Sequence, residues 1–118
     1  MPPLLNPPAK AVLQRLTDIV GEAHALRAPE DQAGYLREWR DLYVGKTPVV
    51  LRPGCTQEVA EILKIAHAER VAIVPQCGNT GLVGGQIPTT AGDEIVLNLS
   101  RLNKVRVVDA DGGTMILE

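Results

Sequence analysis

The sequence predicts an α/β (α+β) fold built on a βαβ unit, with a small, mostly parallel sheet and a β-hairpin at the C-terminal end. Two strand-like runs, at 47–52 and 71–74, flank a segment with helical spacing, and this crossover is long enough to return the chain parallel. The chain has no Phe, one Trp and two Tyr. Its core therefore has to come from branched aliphatic residues and Ala, which suit buried parallel strands.

Residues 1–46 are expected to form an N-terminal helical extension. Asn6 and two prolines give a helix start signal before an apolar series with helical spacing. That series consists of Val12, Leu13, Leu16, Ile19, Val20 and Ala23. Residues 27–46 mix charged and aromatic side chains, which indicates a short helix and an irregular connector. We expect Trp39 and Tyr43 to pack in the core, with packing against the glycine-rich loop described below as the alternative.

Residues 47–74 contain the predicted βαβ unit. The first strand ends at a Pro-Gly pair, after which Thr56 can cap a helix. The apolar face of this helix consists of Val59, Ile62, Leu63 and Ala66. We expect residues 49–51 and 72–74 to be parallel neighbours in the sheet.

The last part of the sequence predicts another strand and a hairpin. Residues 94–99 form an apolar strand-like run, and the runs at 105–108 and 114–117 are separated by Asp-Ala-Asp-Gly-Gly, a turn sequence. Because a natural domain seldom stops within a strand, we expect the chain to be the N-terminal part of a longer protein. Residues 47–118 would then be the first, incomplete part of its domain.

Composition excludes several kinds of partner and site. The formal net charge is -2 with both signs interspersed, so there is no basic surface for nucleic acid, and no apolar run is long enough for a transmembrane segment. Cys55 and Cys77 lack the spacing of a metal or redox pair, so we expect no metal site and a cytoplasmic protein, free or peripheral to the inner membrane. Cys77 is expected to be a small buried hydrophobe, and His24 and His67, on predicted helices, receive no role.

Residues 75–85, Pro-Gln-Cys-Gly-Asn-Thr-Gly-Leu-Val-Gly-Gly, follow directly after the second strand and are the most informative stretch. Glycine adopts positive φ and lets a ligand approach the backbone, so successive N–H groups can converge on an anion. No Lys, Arg, Asp or Glu occurs between residues 75 and 92, so an anion there has to be held by backbone amides. The spacing matches neither a Rossmann fingerprint nor a P-loop. A mobile loop without a ligand is the alternative interpretation.

Three stretches carry a resemblance to a known family. They are Thr47-Pro-Val-Val-Leu-Arg-Pro-Gly-Cys-Thr-Gln-Glu-Val-Ala-Glu-Ile-Leu, Val74-Pro-Gln-Cys-Gly-Asn-Thr-Gly-Leu-Val-Gly-Gly and Glu94-Ile-Val-Leu-Asn-Leu-Ser-Arg-Leu-Asn-Lys-Val. Together they closely resemble the start of the PCMH-type FAD-binding domain of FAD-linked oxidases. Within that family the chain is similar to the D-2-hydroxyacid dehydrogenase branch, which includes D-lactate dehydrogenase, D-2-hydroxyglutarate dehydrogenase and the glycolate oxidase FAD subunit.

The resemblance implies that the chain contains the first subdomain of an FAD-binding domain, with the glycine-rich loop around the flavin pyrophosphate. The implied cofactor-binding residues are Pro75, Gln76, Cys77, Gly78, Asn79, Thr80, Gly81, Leu82, Gly84 and Gly85. Cys77 stands where the family commonly has Gly, so either the backbone there does not need positive φ or the site is altered. Asn79 stands where relatives with covalently attached flavin carry His, which implies non-covalent FAD.

The resemblance also implies a reaction for the whole protein. It would oxidise a D-2-hydroxy acid (D-lactate, D-2-hydroxyglutarate or glycolate) to the 2-oxo acid by hydride transfer to FAD, with a quinone or a protein as electron acceptor. No catalytic residue is identified in this stretch. The alternatives are a non-catalytic nucleotide-binding or assembly fragment, and an FAD-linked oxidase of another alcohol or sugar. The 118-residue chain alone is expected to be inactive and to bind FAD negligibly.

Overall fold

The computed structural model describes residues 4–118, and residues 1–3, which belong to the predicted N-terminal extension, lie outside the described residues. The described elements, in chain order, are α1 (Lys10–Val20), a 3₁₀ turn (Glu22–His24), β1 (Ala25–Leu26), α2 (Pro29–Gln32), a 3₁₀ turn (Ala33–Tyr35), β2 (Val50–Leu51), α3 (Thr56–Glu69), β3 (Ile73–Gln76), β4 (Ile95–Asn98), β5 (Val105–Asp109) and β6 (Thr114–Leu117).

The main sheet is small and mostly parallel. Its strand order is β1-β2-β4-β3, in which β2, β4 and β3 run parallel and β1 pairs antiparallel with β2 at the edge. Strands β5 and β6 form a separate antiparallel hairpin. The predicted fold class, including the parallel strands and the C-terminal hairpin, is confirmed.

The predicted order of the parallel strands is wrong in one respect. Residues 49–51 and 72–74 are not neighbours, because β4 lies between β2 and β3. All four residues of β4 are buried, and a strand that is apolar on both faces is most stable at the centre of a sheet, where both faces are covered. The two-residue strand β1 was not predicted.

One face of the sheet packs against α1 and α3. The buried residues of this core are Val12, Leu16, Val20, Ala25, Val49, Leu51, Ile62, Val71, Ile95 and Leu97. The N-terminal helix therefore shares one core with the βαβ unit. On α3 the prediction for Leu63 is wrong, since this side chain is 45% exposed while Ile65 packs against the core instead.

Asn6 and Thr56 do not cap their helices as predicted. Helix α1 has Ala9 at its N-cap, and Asn6 instead donates from its backbone N–H to the Arg70 carbonyl oxygen at 2.8 Å and from Nδ2 to the Glu69 carbonyl oxygen at 3.0 Å. Asn6 thus satisfies carbonyl groups at the end of α3, which a helix leaves without partners. Thr56 is the first residue of α3, one position after the N-cap.

The other face of the sheet is covered by the segment between β1 and β2 and by the glycine-rich loop. Alternation places Val50, Val96 and Val74 on this face, and all three are buried. Gln32 Nε2 donates to the Leu26 carbonyl oxygen at 2.9 Å and thereby ties α2 to β1. This face ends, at its carboxyl edge, where the loop begins.

Candidate functional site

The glycine-rich loop starts from a pair of buried side-chain amides. Gln76 ends β3 and lies opposite Asn98, which ends β4. Asn98 Nδ2 donates to Gln76 Oε1 at 3.2 Å and to the Cys77 carbonyl oxygen at 3.1 Å. Gln76 Nε2 donates to the carbonyl oxygens of Tyr35 at 2.9 Å and Gln86 at 3.0 Å. The side chain of Gln76 therefore holds the two ends of the loop together, and Asn98 was missed by the sequence analysis.

Two further amides hold the middle of the loop. Asn79 has a φ of 53°, and its Nδ2 donates to the Arg37 carbonyl oxygen at 2.8 Å. Gln86 Nε2 donates to Asn79 Oδ1 at 3.2 Å and to the Gly81 carbonyl oxygen at 2.7 Å. The predicted residue Asn79 is thus part of the loop framework. Gln86 was not predicted, although an amide side chain just after the glycines was visible in the sequence.

Residues 36–45 form a tight turn that packs against the loop. A Cβ atom added to Gly84, which has a φ of +78°, would lie 2.8 Å from the Tyr43 ring. The Arg40 guanidinium also donates to the Leu82 carbonyl oxygen. Tyr43 therefore packs against the loop, the alternative named from the sequence. The core prediction for Trp39 is wrong, since this side chain is 85% exposed.

A buried carboxylate organises this turn. Glu38 Oε2 accepts the Arg40 N–H at 2.8 Å, and Oε1 accepts the Leu42 N–H at 2.6 Å. These backbone hydrogen bonds, that of Arg40 first, hold the pKa of Glu38 below its ordinary value of 4.5, against the opposing effect of burial. Glu38 therefore stays ionised and fixes the turn beside the loop.

The loop presents a run of free backbone amides. Within residues 4–118, the N–H groups of residues 78–85 donate to no protein acceptor. A Cβ atom on Gly85 would meet nothing within 4 Å, and one on Gly78 would meet only a Thr80 methyl carbon at 4.0 Å. Free amides in a stretch without charged side chains, with open space at Gly78 and Gly85, fit an anionic ligand.

Cys77 is exposed, so the prediction that it is buried is wrong. It lines a cavity of about 320 Å³ at the carboxyl edge of the sheet, together with Thr56, Val59, Leu99, Leu102 and Glu118. In the described part of the chain, the residues other than glycine with positive φ are Asp41, Arg70 and Asn79. The backbone at Cys77 therefore does not adopt positive φ, which agrees with the first of the two alternatives given for this position.

None of the helices in residues 4–118 has both the length and the apolar character required to cross a membrane. In the same residues, no group of three or more His, Cys, Asp or Glu side chains is placed to hold a metal ion.

The amino-acid sequence matches a known protein family and several of its members. The family model described as FAD binding domain matches residues 47–118. A protein of Schizosaccharomyces pombe named as a mitochondrial D-lactate dehydrogenase is 44% identical over 76% of this chain and 17% of its own length. The D-2-hydroxyglutarate–pyruvate transhydrogenase of Saccharomyces cerevisiae is 42% identical over 75% of this chain and 17% of its own. The mitochondrial D-2-hydroxyglutarate dehydrogenase of Arabidopsis thaliana is 37% identical over 86% of this chain and 18% of its own length. The chain thus spans less than a fifth of each relative.

Solved structures show the same fold. An alkyldihydroxyacetonephosphate synthase superposes with a TM-score of 0.75 at 20% identity, covering 91% of this chain and 23% of the other. A p-cresol methylhydroxylase superposes with a TM-score of 0.71 at 17% identity, covering 86% of this chain and 20% of the other. At these identities the likeness establishes the fold alone.

The predicted cytoplasmic location is wrong. The relatives from Schizosaccharomyces pombe and Arabidopsis thaliana are both named as mitochondrial proteins. Cysteine content had suggested a reducing compartment, but two cysteines without a pairing pattern do not distinguish one reducing compartment from another.

Proposed function

The chain belongs to the family described as FAD binding domain, and we propose on this basis that it is the FAD-binding portion of a flavin-dependent oxidoreductase acting on a D-2-hydroxy acid. The names of the relatives, D-lactate dehydrogenase and D-2-hydroxyglutarate dehydrogenase, support this substrate class. Bound flavin would supply the hydride-accepting chemistry. The residues of this chain contribute binding and orientation of the cofactor.

The observation that carries the proposal is the run of free N–H groups at residues 78–85. Backbone amides that have no protein acceptor retain their full capacity to bind an anion, and the dinucleotide diphosphate is such an anion. The contacts of Gln76, Asn79 and Gln86 hold the loop before any ligand arrives, which reduces the ordering cost of binding. The residues assigned to the cofactor are Pro75, Gln76, Cys77, Gly78, Asn79, Thr80, Gly81, Leu82, Gly84 and Gly85.

We propose that FAD is held non-covalently. Asn79 occupies the position at which relatives with a covalent flavin carry His, and an amide offers no nucleophile for such a linkage. Its Nδ2 and Oδ1 atoms are engaged with Arg37 and Gln86. Denaturing the purified holoprotein in acid should therefore release all of the flavin into the filtrate, and flavin that stays with the polypeptide would contradict the assignment.

The experiment for the function uses the longer natural polypeptide that contains this chain. We expect it to purify with visible flavin absorbance, and we expect that absorbance to bleach when D-lactate, D-2-hydroxyglutarate or glycolate is added without oxygen. L-lactate serves as the stereochemical control. A colourless protein would instead support a non-catalytic nucleotide-binding or assembly fragment. Bleaching only by a sugar or another alcohol would support an FAD-linked oxidase of that substrate class. Reoxidation is then compared with a quinone, an electron-transfer protein and pyruvate, the last because the Saccharomyces cerevisiae relative is named for it.

A charge-reversal pair tests the loop itself. Gly85→Asp places a carboxylate where a side chain has open space, so the fold should tolerate it while the added charge repels a diphosphate. Gly85→Asn has nearly the same shape and no charge. We expect Gly85→Asp to lose most of its FAD affinity and Gly85→Asn to retain much more of it. Equal affinities for the two variants would argue that no anion binds at these amides.

A further inference from the structure

His24 and Arg52 form a cross-strand pair that lies outside the residues assigned to the loop. The register that places Ala25 opposite Leu51 continues by one residue, because the Arg52 N–H donates to the His24 carbonyl oxygen at 2.9 Å. Directly opposed residues of an antiparallel pair lie on the same face, with Cβ atoms about 5 Å apart. The two side chains are therefore neighbours.

The pair continues a polar row across the carboxyl edge of the sheet. Leu51 lies opposite Leu97 at the last paired position of β2, and continuing this register by one residue places Arg52 beside Asn98 on the same face. Asn98 in turn lies opposite Gln76. Since neighbouring strands are about 4.8 Å apart, the Arg52 backbone lies roughly 10 Å from the point where the glycine-rich loop leaves β3.

Only some of the side chains in this polar row have hydrogen-bond partners within the protein. Gln76 and Asn98 bond to each other and to the loop. By contrast, His24 Nδ1 and Arg52 Nε are buried without a hydrogen-bond partner among the described residues. The salt bridges of residues 4–118 do not include Arg52. A partly buried cation without a counter-charge is costly, and an anionic ligand is what removes the cost.

We propose that Arg52 binds a phosphoryl oxygen of the dinucleotide whose diphosphate the loop amides hold, with His24 lining the same site. This inference rests on the proposed function. The planar guanidinium can bind phosphate through two parallel hydrogen bonds. Arg52 also supplies the positive charge that residues 75–92 lack, and as a residue it is half-buried.

The test compares three variants of the longer natural polypeptide after removal of flavin. Arg52→Gln removes the positive charge. Arg52→Lys keeps the charge but lacks the planar guanidinium with its two parallel donors, and Arg70→Gln is the matched control. Arg70 is exposed, takes part in no salt bridge of the described residues, and follows α3 at the opposite edge of the sheet. FAD dissociation constants come from flavin fluorescence at low and high salt, and melting temperatures of the apoproteins report on folding.

We expect Arg52→Gln to weaken FAD binding about tenfold to a hundredfold and to reduce its salt dependence. Arg52→Lys should fall between Arg52→Gln and the wild type, and Arg70→Gln should match the wild type. If Arg52→Gln fails to fold, Arg52→Lys decides, because an unchanged FAD affinity in that variant would overturn the proposal. A lowered melting temperature with unchanged FAD affinity would show a structural role and would also overturn it.

Inorganic pyrophosphate distinguishes the source of the anion. In the wild type it should compete with FAD, and in Arg52→Gln it should compete more weakly. If Arg52→Gln loses pyrophosphate binding but keeps its FAD affinity, Arg52 holds a free anion and the dinucleotide assignment is wrong. If the wild type binds no flavin, the proposed function fails together with this inference. If the wild type binds flavin and Arg52→Gln binds it equally well, only the inference on Arg52 fails.

Discussion

A single buried carboxylate, Glu38, links pH to the turn that faces the glycine-rich loop. Because the pKa of Glu38 is lowered in the folded chain, ionised Glu38 stabilises the fold. That stabilisation is complete above the ordinary value of 4.5 and is lost as the pH falls through the lower folded value. We expect Glu38→Gln to melt at a lower temperature than the wild type at neutral pH, and the difference to shrink in acid.

Thermal unfolding of the two proteins, followed by circular dichroism from neutral pH downward, measures this difference. Glu30→Gln is the control, because Glu30 is an exposed carboxylate on α2. If the difference in melting temperature between the wild type and Glu38→Gln stays constant through the acid range, the carboxylate charge does not stabilise the turn.

Two adjacent glycines in the loop differ in what a methyl group would meet. At Gly84 an added Cβ would lie 2.8 Å from the Tyr43 ring, and φ is +78°. At Gly85 an added Cβ would meet nothing within 4 Å. We expect Gly84→Ala to destabilise the chain by about 1–3 kcal/mol and Gly85→Ala to be within about 0.5 kcal/mol of the wild type. Urea unfolding measures both, and equal values would mean that Tyr43 does not pack on Gly84.

At the same scale, the sequence was informative about backbone chemistry and poor about exposure. The uncharged, glycine-rich stretch was recognisable because glycine and the lack of charge are local properties. The exposure of Cys77 and Trp39 was not, because it depends on which distant segments cover a side chain. The role of Glu38 was hidden for a similar reason, since its partners are backbone N–H groups that any sequence supplies.

At the scale of elements, the loop depends on the ends of β3 and β4. Asn98→Ala would leave Gln76 Oε1 and the Cys77 carbonyl oxygen without the donor that Asn98 Nδ2 provides. We expect a loss of about 2–3 kcal/mol in unfolding free energy, since unsatisfied buried acceptors cost more than the bonds contribute. Asn103→Ala, at an exposed residue, should be nearly neutral. Denaturant unfolding of both variants provides the measurement, and a neutral Asn98→Ala would mean that the loop holds without this amide pair.

The elements themselves were largely predictable, and their arrangement was less so. Helices α1 and α3, the parallel strands and the β5–β6 hairpin all follow from local periodicity and turn residues. Strand order does not, because inserting β4 between β2 and β3 is decided by which strand can be buried on both faces. Strand β1, with two residues, is too short to give any periodic signal.

At the scale of the whole molecule, the division of the chain into a helical extension (1–46) and a domain (47–118) stays a prediction. The composition of the hydrophobic core provides a way to test it. The family match begins at residue 47, yet Leu16 of α1 is fully buried in the same core as Ile62 and Ile95. If α1 is integral to that core, Leu16→Ala should cost about 2–5 kcal/mol and shift one cooperative transition. Leu63→Ala, at a half-exposed position on α3, should cost under about 1 kcal/mol. A Leu16→Ala protein that unfolds in two separate steps would support a separable extension.

The last prediction concerns how much of the cofactor site this chain contains. It spans less than a fifth of the relatives it matches, and a dinucleotide gains affinity only when enough contacts offset its loss of freedom on binding. The free amides of residues 78–85 would contact little beyond the diphosphate. We therefore expect FAD titrated into the 118-residue chain to show negligible binding by fluorescence. Micromolar affinity in the chain alone, lost in Gly85→Asp, would instead mean that the loop is sufficient by itself.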